Sequence, residues 1–238
     1  MEFKCPGQDD RNIQAETMTC SQCGYTLEIF SDEIKVTCPR CKTRVCKQRL
    51  PSCVDWCKSA KQCVGTAYYQ EYVQVKQSTL KDKLLAALEV YFENDVKRIA
   101  HAKKVLSFAE ELLTQEHADW HIVIPASILH DVGIKAAEAK YGSAAGHLQE
   151  KEGPAIARTI MLGLGMQKKD IDEICSIIEH HHTPGKIDTL NFKVLYDADW
   201  LVNLKDECDT SDKQKLDALI ERIFLSASGK ALAKKIYL

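Results

Sequence analysis

The sequence contains no apolar run of about 18 residues, the length that a membrane-spanning helix needs. Its opening segment, MEFKCPGQDDRN, lacks the apolar core of a secretory signal peptide, so we expect a cytoplasmic protein without a membrane anchor. No Gly-rich phosphate loop of Walker type is present, which disfavours a kinase or an ATPase. A formal net charge of −2 provides no overall attraction to nucleic acid. The 238 residues, 45% of them hydrophobic, suffice for one large domain or two modest ones.

Cysteine is concentrated in the first part of the chain. Nine of the eleven cysteines precede residue 64, namely Cys5, Cys20, Cys23, Cys38, Cys41, Cys46, Cys53, Cys57 and Cys63. In a reducing compartment such a cluster favours metal binding over a disulfide scaffold. Cys175 and Cys208 are isolated, and we expect them to be ordinary small core residues.

Two Cys-x2-Cys pairs, Cys20 with Cys23 and Cys38 with Cys41, flank the alternating stretch YTLEIFSDEIKVT. Alternation around a Ser-Asp turn predicts a β-hairpin between the pairs. Each pair presents two thiolates on one side of a tight turn, and four thiolates complete a tetrahedral shell. The segment resembles a zinc ribbon or a rubredoxin-like knuckle, and we expect structural zinc rather than iron. The metal would replace a core that so short a segment cannot build.

The remaining early cysteines leave a second metal site open. Cys53, Cys57 and Cys63 could recruit Cys5 or Cys46 as a fourth thiolate. Their spacing matches no ferredoxin pattern, so zinc, an iron–sulfur cluster and free structural thiols remain open alternatives.

Basic residues accompany the cysteine pairs, at Lys35, Arg40, Lys42, Arg44, Lys47 and Arg49. Glu28, Asp32 and Glu33 oppose them, and few aromatic residues are interleaved. The pattern favours a solvated surface over a nucleic-acid interface, and docking of a protein partner is a further alternative.

Residues 66–78 show no clear helical period and are typical of a connector. The chain beyond them repeats apolar residues at helical spacing, beginning with Leu80, Leu84 and Leu88. We therefore expect a mainly α protein with a small metal-bound β-ribbon domain at 1–65, a linker at 66–78 and an all-helical domain at 79–238.

Several metal-compatible side chains are directed at the interior of the helical region. His101 and Asp199 each lie on the apolar face of a predicted helix. His130 and Asp131 end an apolar run just before Gly133, a residue typical of the position past a helix end. Burying these charges unpaired would cost several kcal/mol, and a shared cation would remove that cost.

The order H…HD…D, within RIAHAKKVLSFAEEL, IPASILHDVGI and LYDADWL, resembles the HD-domain metal-dependent phosphohydrolase superfamily. The resemblance covers roughly residues 80–205 and implies that His101, His130, Asp131 and Asp199 are metal ligands. Asp199 is preferred to Asp197 because the family pattern is Ala-Asp-x-Leu. The resemblance also implies that Asp131 helps to orient the attacking water.

A run of three histidines, His180 to His182, follows an apolar stripe of isoleucines, and helical geometry places His181 on that stripe. In two-metal members of the superfamily, histidines from this helix and from the start of the preceding one hold a second metal. The position four residues before Gly153 is Gln149 here, so we expect one metal, with His181 near the substrate phosphate or the metal-bound water.

Imidazole and carboxylate ligands suit a divalent Mn, Fe, Co, Ni or Zn ion, which activates water and polarises a phosphoryl oxygen. The expected function is hydrolysis of a phosphomonoester or phosphodiester, a nucleotide being the substrate type that the resemblance implies. The alternative is a regulatory or adaptor protein whose ribbon binds nucleic acid or a protein partner.

Overall fold

The structure, a computed structural model, describes residues 14–30, 33, 35–46, 54 and 57–238. The chain divides into two units, Met1–Gln74 and Val75–Leu238. The first contains short strands, a short helix and the start of a longer one, and the second contains helices. No helix in the described ranges combines the length and the apolar character needed to cross a membrane.

The first unit contains two antiparallel hairpins. Strand β1 (Ala15–Thr19) pairs with β2 (Thr26–Phe30), and β3 (Lys35–Thr37) pairs with β4 (Arg44–Cys46). Leu27 and Val45 are buried with the thiols of Cys20 and Cys38 in a small core. A core of this size is too small to hold the segment by itself, which leaves a role for a bound metal.

The pairing of these strands corrects one expectation. A hairpin was expected between the two cysteine pairs, but each pair lies in the turn of its own hairpin. In each turn the first cysteine both donates and accepts across the loop, as in the 2.9 Å bond from Cys20 N to Tyr25 O. Gly24 and Lys42 adopt φ values of 70° and 61°, which reverse the chain immediately after the cysteine pair. The tight turn that presents the thiols is therefore also the hairpin turn.

Two helices follow, α1 (Ala60–Val64) and α2 (Thr66–Phe92). Segment 66–78, for which a connector was expected, forms the first half of α2, and the boundary between the units falls within this helix. Tyr68 and Tyr72 lie one turn apart with ring centroids separated by 6.4 Å. Tyr68 is buried whereas Val75 is exposed, so the hydrophobic residues here do not repeat on one face, which makes the helical pattern weak in the sequence.

The second unit is built from the end of α2 and eight further helices in the described chain. They are α3 (Val96–Leu113), α4 (Trp120–Leu129), α5 (Gly133–Tyr141), α6 (Gly146–Gly163), α7 (Lys168–Ile178), α8 (Leu190–Glu207), α9 (Lys213–Ile223) and α10 (Ala227–Tyr237). Side-chain oxygens cap several of them, at Asp95, Asp119, Thr189, Asp212 and Ser226. Each cap satisfies a backbone N–H that the helix itself leaves free.

Helix α4 is the centre of this unit. Every residue from Ile122 to Leu129 is buried, and the helix packs against α3, α7 and α8. A helix that is apolar on all sides is stable only when it is surrounded. The C-terminal end of α4 therefore places the next residues, His130 and Asp131, inside the helical unit.

Candidate metal centre

The candidate ligands come from separate elements around the end of α4. His101 lies in the middle of α3 and Asp199 in the middle of α8, while His130 and Asp131 occupy the short turn between α4 and α5. His181 lies just beyond the end of α7. Since α4 packs on all three of these helices, their inward-facing side chains meet at its end.

The four side chains named from the sequence approach one another closely. His101 Nε2 lies 3.1 Å from Asp199 Oδ1, 3.3 Å from His130 Nε2 and 3.5 Å from Asp131 Oδ2. His130 Nε2 lies 3.3 Å from Asp131 Oδ2 and 3.6 Å from Asp199 Oδ1. Donor atoms bound about 2.1 Å from one cation are separated by roughly 3.0–3.4 Å. The observed distances of 3.1–3.6 Å are close to this range, and His101, His130 and Asp131 form a group that could hold a metal ion.

Backbone carbonyls fix the orientation of two of the rings. His130 Nδ1 lies 2.9 Å from Ser127 O, and His181 Nδ1 lies 2.7 Å from Ile178 O. A carbonyl oxygen only accepts, so Nδ1 of each ring donates a proton and Nε2 is the atom directed at the cluster. This arrangement is the one by which proteins present imidazole to a metal.

The charges of the cluster shift its pKa values. Burial alone would lower the pKa of His130, but Asp131 and Asp199 outweigh it and raise that pKa well above its usual value. Burial alone would raise the pKa of both carboxyls, but the histidines around them hold it well below the ordinary range. Two ionised carboxylates are thus kept in a largely buried position, beside histidines that balance part of their charge.

Asp131 connects this cluster to His181. Its Oδ2 faces His101 and His130, while its Oδ1 lies 3.7 Å from His181 Nε2. His181 is 3% exposed, and its Nε2 has no hydrogen-bond partner among the described residues. An unsatisfied buried nitrogen costs about 1–3 kcal/mol, so this atom is placed for a ligand or a reacting group.

His182 is a neighbour of the site that the sequence does not single out. It belongs with Asp131 and His181 to a group whose donor atoms lie within 4.8 Å of one another, and its ring stacks on His181 at 4.0 Å between centroids. Gln149 Nε2 donates to Ala144 O, so Gln149 Oε1 is the atom that lies 3.3 Å from His182 Nε2. His182 Nε2 therefore donates its proton to Gln149.

Asp197, the acid rejected in favour of Asp199, lies outside the cluster. Its carboxylate accepts hydrogen bonds from the backbone N–H groups of Leu225 and Ser226 and from the Ser226 hydroxyl. Burial raises its pKa to about 6 despite these donors. Asp197 thus joins α8 to the start of α10, while Asp199 faces the histidines.

The ribbon cysteines form a separate cluster in the first unit. One sulfur of each of Cys20, Cys23, Cys38 and Cys41 lies within 4.8 Å of the others. The Cys20–Cys41 and Cys23–Cys38 sulfur pairs are each 3.6 Å apart, close to the roughly 3.8 Å edge of a tetrahedral zinc–thiolate shell. Hydrogen bonding by the side chain and backbone of Thr43 lowers the pKa of Cys41 to about 6, whereas at Cys23 a backbone hydrogen bond is outweighed by burial and the neighbouring thiols, which raise the pKa of that thiol. Without a metal, the thiolate is therefore favoured at Cys41 and not at Cys23.

The possible second cysteine site lies mostly outside the described residues. Cys5 and Cys53 are not described, nor are the side chains of Cys46 and Cys63, and Cys57 is a partly buried free thiol. The proposed grouping of Cys5, Cys53, Cys57 and Cys63 therefore stays a prediction. Cys175 and Cys208 lie in or against the helical core, as expected.

Residues 98–204 match the family model described as the HD domain. The helical unit contains an HD domain. A solved structure with a similar fold is described as a "predicted HD superfamily hydrolase" from an uncultured Thermotogales bacterium. It is 24% identical, with a TM-score of 0.50, and the match covers 66% of this chain and 84% of that one. A comparison with curated proteins found no match. The HD match begins later than residue 80, where the sequence resemblance was placed.

Proposed function

We propose that the HD domain hydrolyses a phosphomonoester or phosphodiester bond in a nucleotide or a related phosphate ester. The observation that supports this most directly is the meeting of His101, His130, Asp131 and Asp199 at the end of α4. In this proposal the four side chains hold a divalent transition metal ion.

The arrangement of the side chains fits such an ion. His101 and His130 point Nε2 at each other across 3.3 Å, and two ring lone pairs at this distance repel unless a proton or a cation lies between them. Two ionised carboxylates border the same space, and their burial is costly without a counter-charge. Nitrogen and oxygen donors without thiolate suit Mn, Fe, Co, Ni or Zn.

Asp131 and His181 are the residues to which we assign catalytic roles. A divalent ion held at this site would polarise a phosphoryl oxygen and lower the pKa of water. The depressed pKa of Asp131 makes it a hydrogen-bond acceptor that orients water rather than a base that retains a proton. His181, whose Nδ1 proton is engaged by Ile178 O, has Nε2 free to take up a proton beside Asp131 Oδ1.

We propose a centre with one metal, because Gln149 stands where two-metal members of the superfamily have a histidine. Gln149 accepts the Nε2 proton of His182, which leaves the lone pair of that ring on Nδ1. Burial lowers the pKa of His182 to about 4, which keeps the ring neutral near pH 7. A cleft of about 340 Å³ borders the turn that carries these histidines, and it is lined by His147, Glu150, Lys151, Glu179, His180, Thr183 and Lys186. Its two lysines face two glutamates in the same lining, so formal charge gives the cleft no preference for an anionic substrate.

For the ribbon we propose a structural zinc ion bound by Cys20, Cys23, Cys38 and Cys41, supported by the tetrahedral spacing of the sulfurs. The alternative function is that the ribbon, with its exposed basic residues Arg40 and Arg44, binds nucleic acid or a protein partner. The activity test below distinguishes the two functions.

The test is turnover by the purified full-length chain with Mn²⁺, Co²⁺ or Ni²⁺ on generic phosphoesters and a panel of nucleotides. We expect hydrolysis that Asp131→Ala abolishes. Asp172→Ala removes an exposed carboxylate paired with Arg158 and should still hydrolyse the ester. Cys23→Ser should also be active, provided that circular dichroism shows this variant to be folded. Absence of turnover on every ester, together with tight binding of RNA or a protein, would instead support the adaptor alternative.

A further inference from the structure

The carboxylate of Asp199 presents one particular oxygen to the metal centre. Oδ1 lies 3.1 Å from His101 Nε2 and 3.6 Å from His130 Nε2. The same oxygen accepts a 2.9 Å hydrogen bond from the side-chain amide of Asn203. One carboxylate oxygen of Asp199, whose side chain is 12% exposed, therefore has both a contact with the centre and a fixed donor.

The position of Asn203 follows from helix geometry. It lies four residues after Asp199 in α8, so the two side chains occupy the same face on successive turns. A carboxylate only accepts, so the amide must direct Nδ2 at Asp199. Asn203 is partly buried, which limits competition from water for this bond.

We propose that Asn203 is a positioning residue of the metal centre, which holds Asp199 Oδ1 towards His101 and His130. The inference rests on the proposed metal centre but not on the reaction that it performs. A free aspartate side chain rotates about two torsions, and the amide of Asn203 selects the rotamer that points into the cluster. It also occupies one lone pair of Oδ1 and leaves the other for a cation.

The expected loss of metal affinity can be taken from other residues that hydrogen-bond to a metal ligand. Loss of a group that orients a metal ligand weakens metal affinity by about 10- to 100-fold. Removing the amide of Asn203 should therefore weaken metal binding by this factor without removing any ligand.

The chain offers a matched control in Asn191, near the start of the same helix. Its side-chain amide donates to Glu173 at 2.7 Å and its oxygen accepts from the backbone N–H of Asp119. Asn191 thus also bridges an amide to a carboxylate, but none of these contacts involves the metal centre. Asn191→Leu measures the general structural cost of losing such a bond.

The experiment is calorimetric titration of Mn²⁺ into metal-free wild-type chain, Asn203→Leu, Asn203→Ser, Asn191→Leu and His101→Ala. Mn²⁺ is chosen because it prefers oxygen and nitrogen donors and competes poorly for the ribbon thiolates. The thermal midpoint of each metal-free variant reports its folding, and Asn203→Ser serves if the leucine variant is unfolded, since serine is too short to reach the carboxylate.

We expect the Kd for Mn²⁺ to rise about 10- to 100-fold in the Asn203 variants. It should stay within twofold of the wild-type value in Asn191→Leu, and His101→Ala should not bind Mn²⁺. The visible spectrum of bound Co²⁺ should change in the Asn203 variants, which a merely structural role would not cause. Equal Mn²⁺ affinity in Asn203→Leu and wild type would overturn the positioning role and leave the centre intact. A wild-type chain that binds no Mn²⁺ would overturn both the metal centre and the positioning role of Asn203. A wild-type chain that binds Mn²⁺ but hydrolyses no ester would overturn the proposed function and leave the positioning role in place.

Discussion

Replacing Gly133 with alanine tests whether close backbone packing holds the metal-binding turn in place. Gly133 is the first residue of α5 and follows Asp131 by two positions. A Cβ atom added there would lie 2.2 Å from Gln149 O and 2.8 Å from Gly153 N, both backbone atoms of α6. Real Cβ contacts are essentially never shorter than 3.0 Å, so α5 and α6 must move apart by close to an ångström.

The expected cost follows from this overlap. Forcing one extra methyl into a packed interior typically costs about 1–3 kcal/mol, and backbone neighbours place Gly133→Ala at the upper end of that range. For a unit of this size, each kcal/mol lowers the melting temperature by roughly 2–4 °C. We therefore expect the unfolding midpoint, followed by circular dichroism, to fall by roughly 5–10 °C. Mn²⁺ affinity should fall as well, because Asp131 moves with the turn.

Gly163→Ala is the matched control. This glycine is the last residue of α6, has no atom within 4 Å of an added Cβ, and does not have a positive φ. The same added methyl should stabilise the protein here by about 0.4–1 kcal/mol, because alanine has less freedom in the unfolded chain. The reasoning is refuted if Gly133→Ala melts at or above the temperature of Gly163→Ala.

Three further predictions concern the metal centre, the neighbouring Asp197 and the ribbon. Asp131 and Asp199 raise the pKa of His130 well above its usual value, so metal binding must displace a proton from this ring. Mn²⁺ affinity should therefore fall roughly tenfold for each pH unit below that pKa. Calorimetry in buffers of different ionisation enthalpy should detect the released proton. Asp197→Ala leaves two backbone N–H groups without their acceptor and should cost about 2–3 kcal/mol; its thermal midpoint should fall while Mn²⁺ affinity stays unchanged. Cys38→Ser should lower the zinc content measured by mass spectrometry by one ion per chain, and unchanged zinc content would argue against the ribbon site.

Much of the site is predictable from local pattern. His101 and Asp199 lie among apolar residues at helical spacing, and His130 and Asp131 end an apolar run. Such placement identifies side chains that must be buried, and polar groups are buried when something compensates them. The choice of Asp199 over Asp197 agrees with the position of the two carboxylates, because only Asp199 faces His101.

Strand pairing and the start of the helical region are less predictable. The hairpins of the ribbon depend on how each cysteine turn reverses the chain, which Gly24 and Lys42 achieve through positive φ. The alternation between the cysteine pairs is equally compatible with a hairpin of β2 and β3, which are not paired with each other among the described residues. Segment 66–78 is helical although its pattern is weak, because the helix that begins at Thr66 continues without a break to Phe92.

The amino-acid sequence by itself determined which side chains are candidate metal ligands, their order along the chain and the helices that carry them. These features depend only on residue chemistry and on spacing within single helices. Only the tertiary structure decided which groups meet. The contacts of Gln149 with His182 and of Asp131 with His181 join residues whose neighbours in sequence give no sign of them. The physical reason is that hydrogen-bond partners and close backbone packing are set by how helices cross around α4, and no local period encodes that crossing.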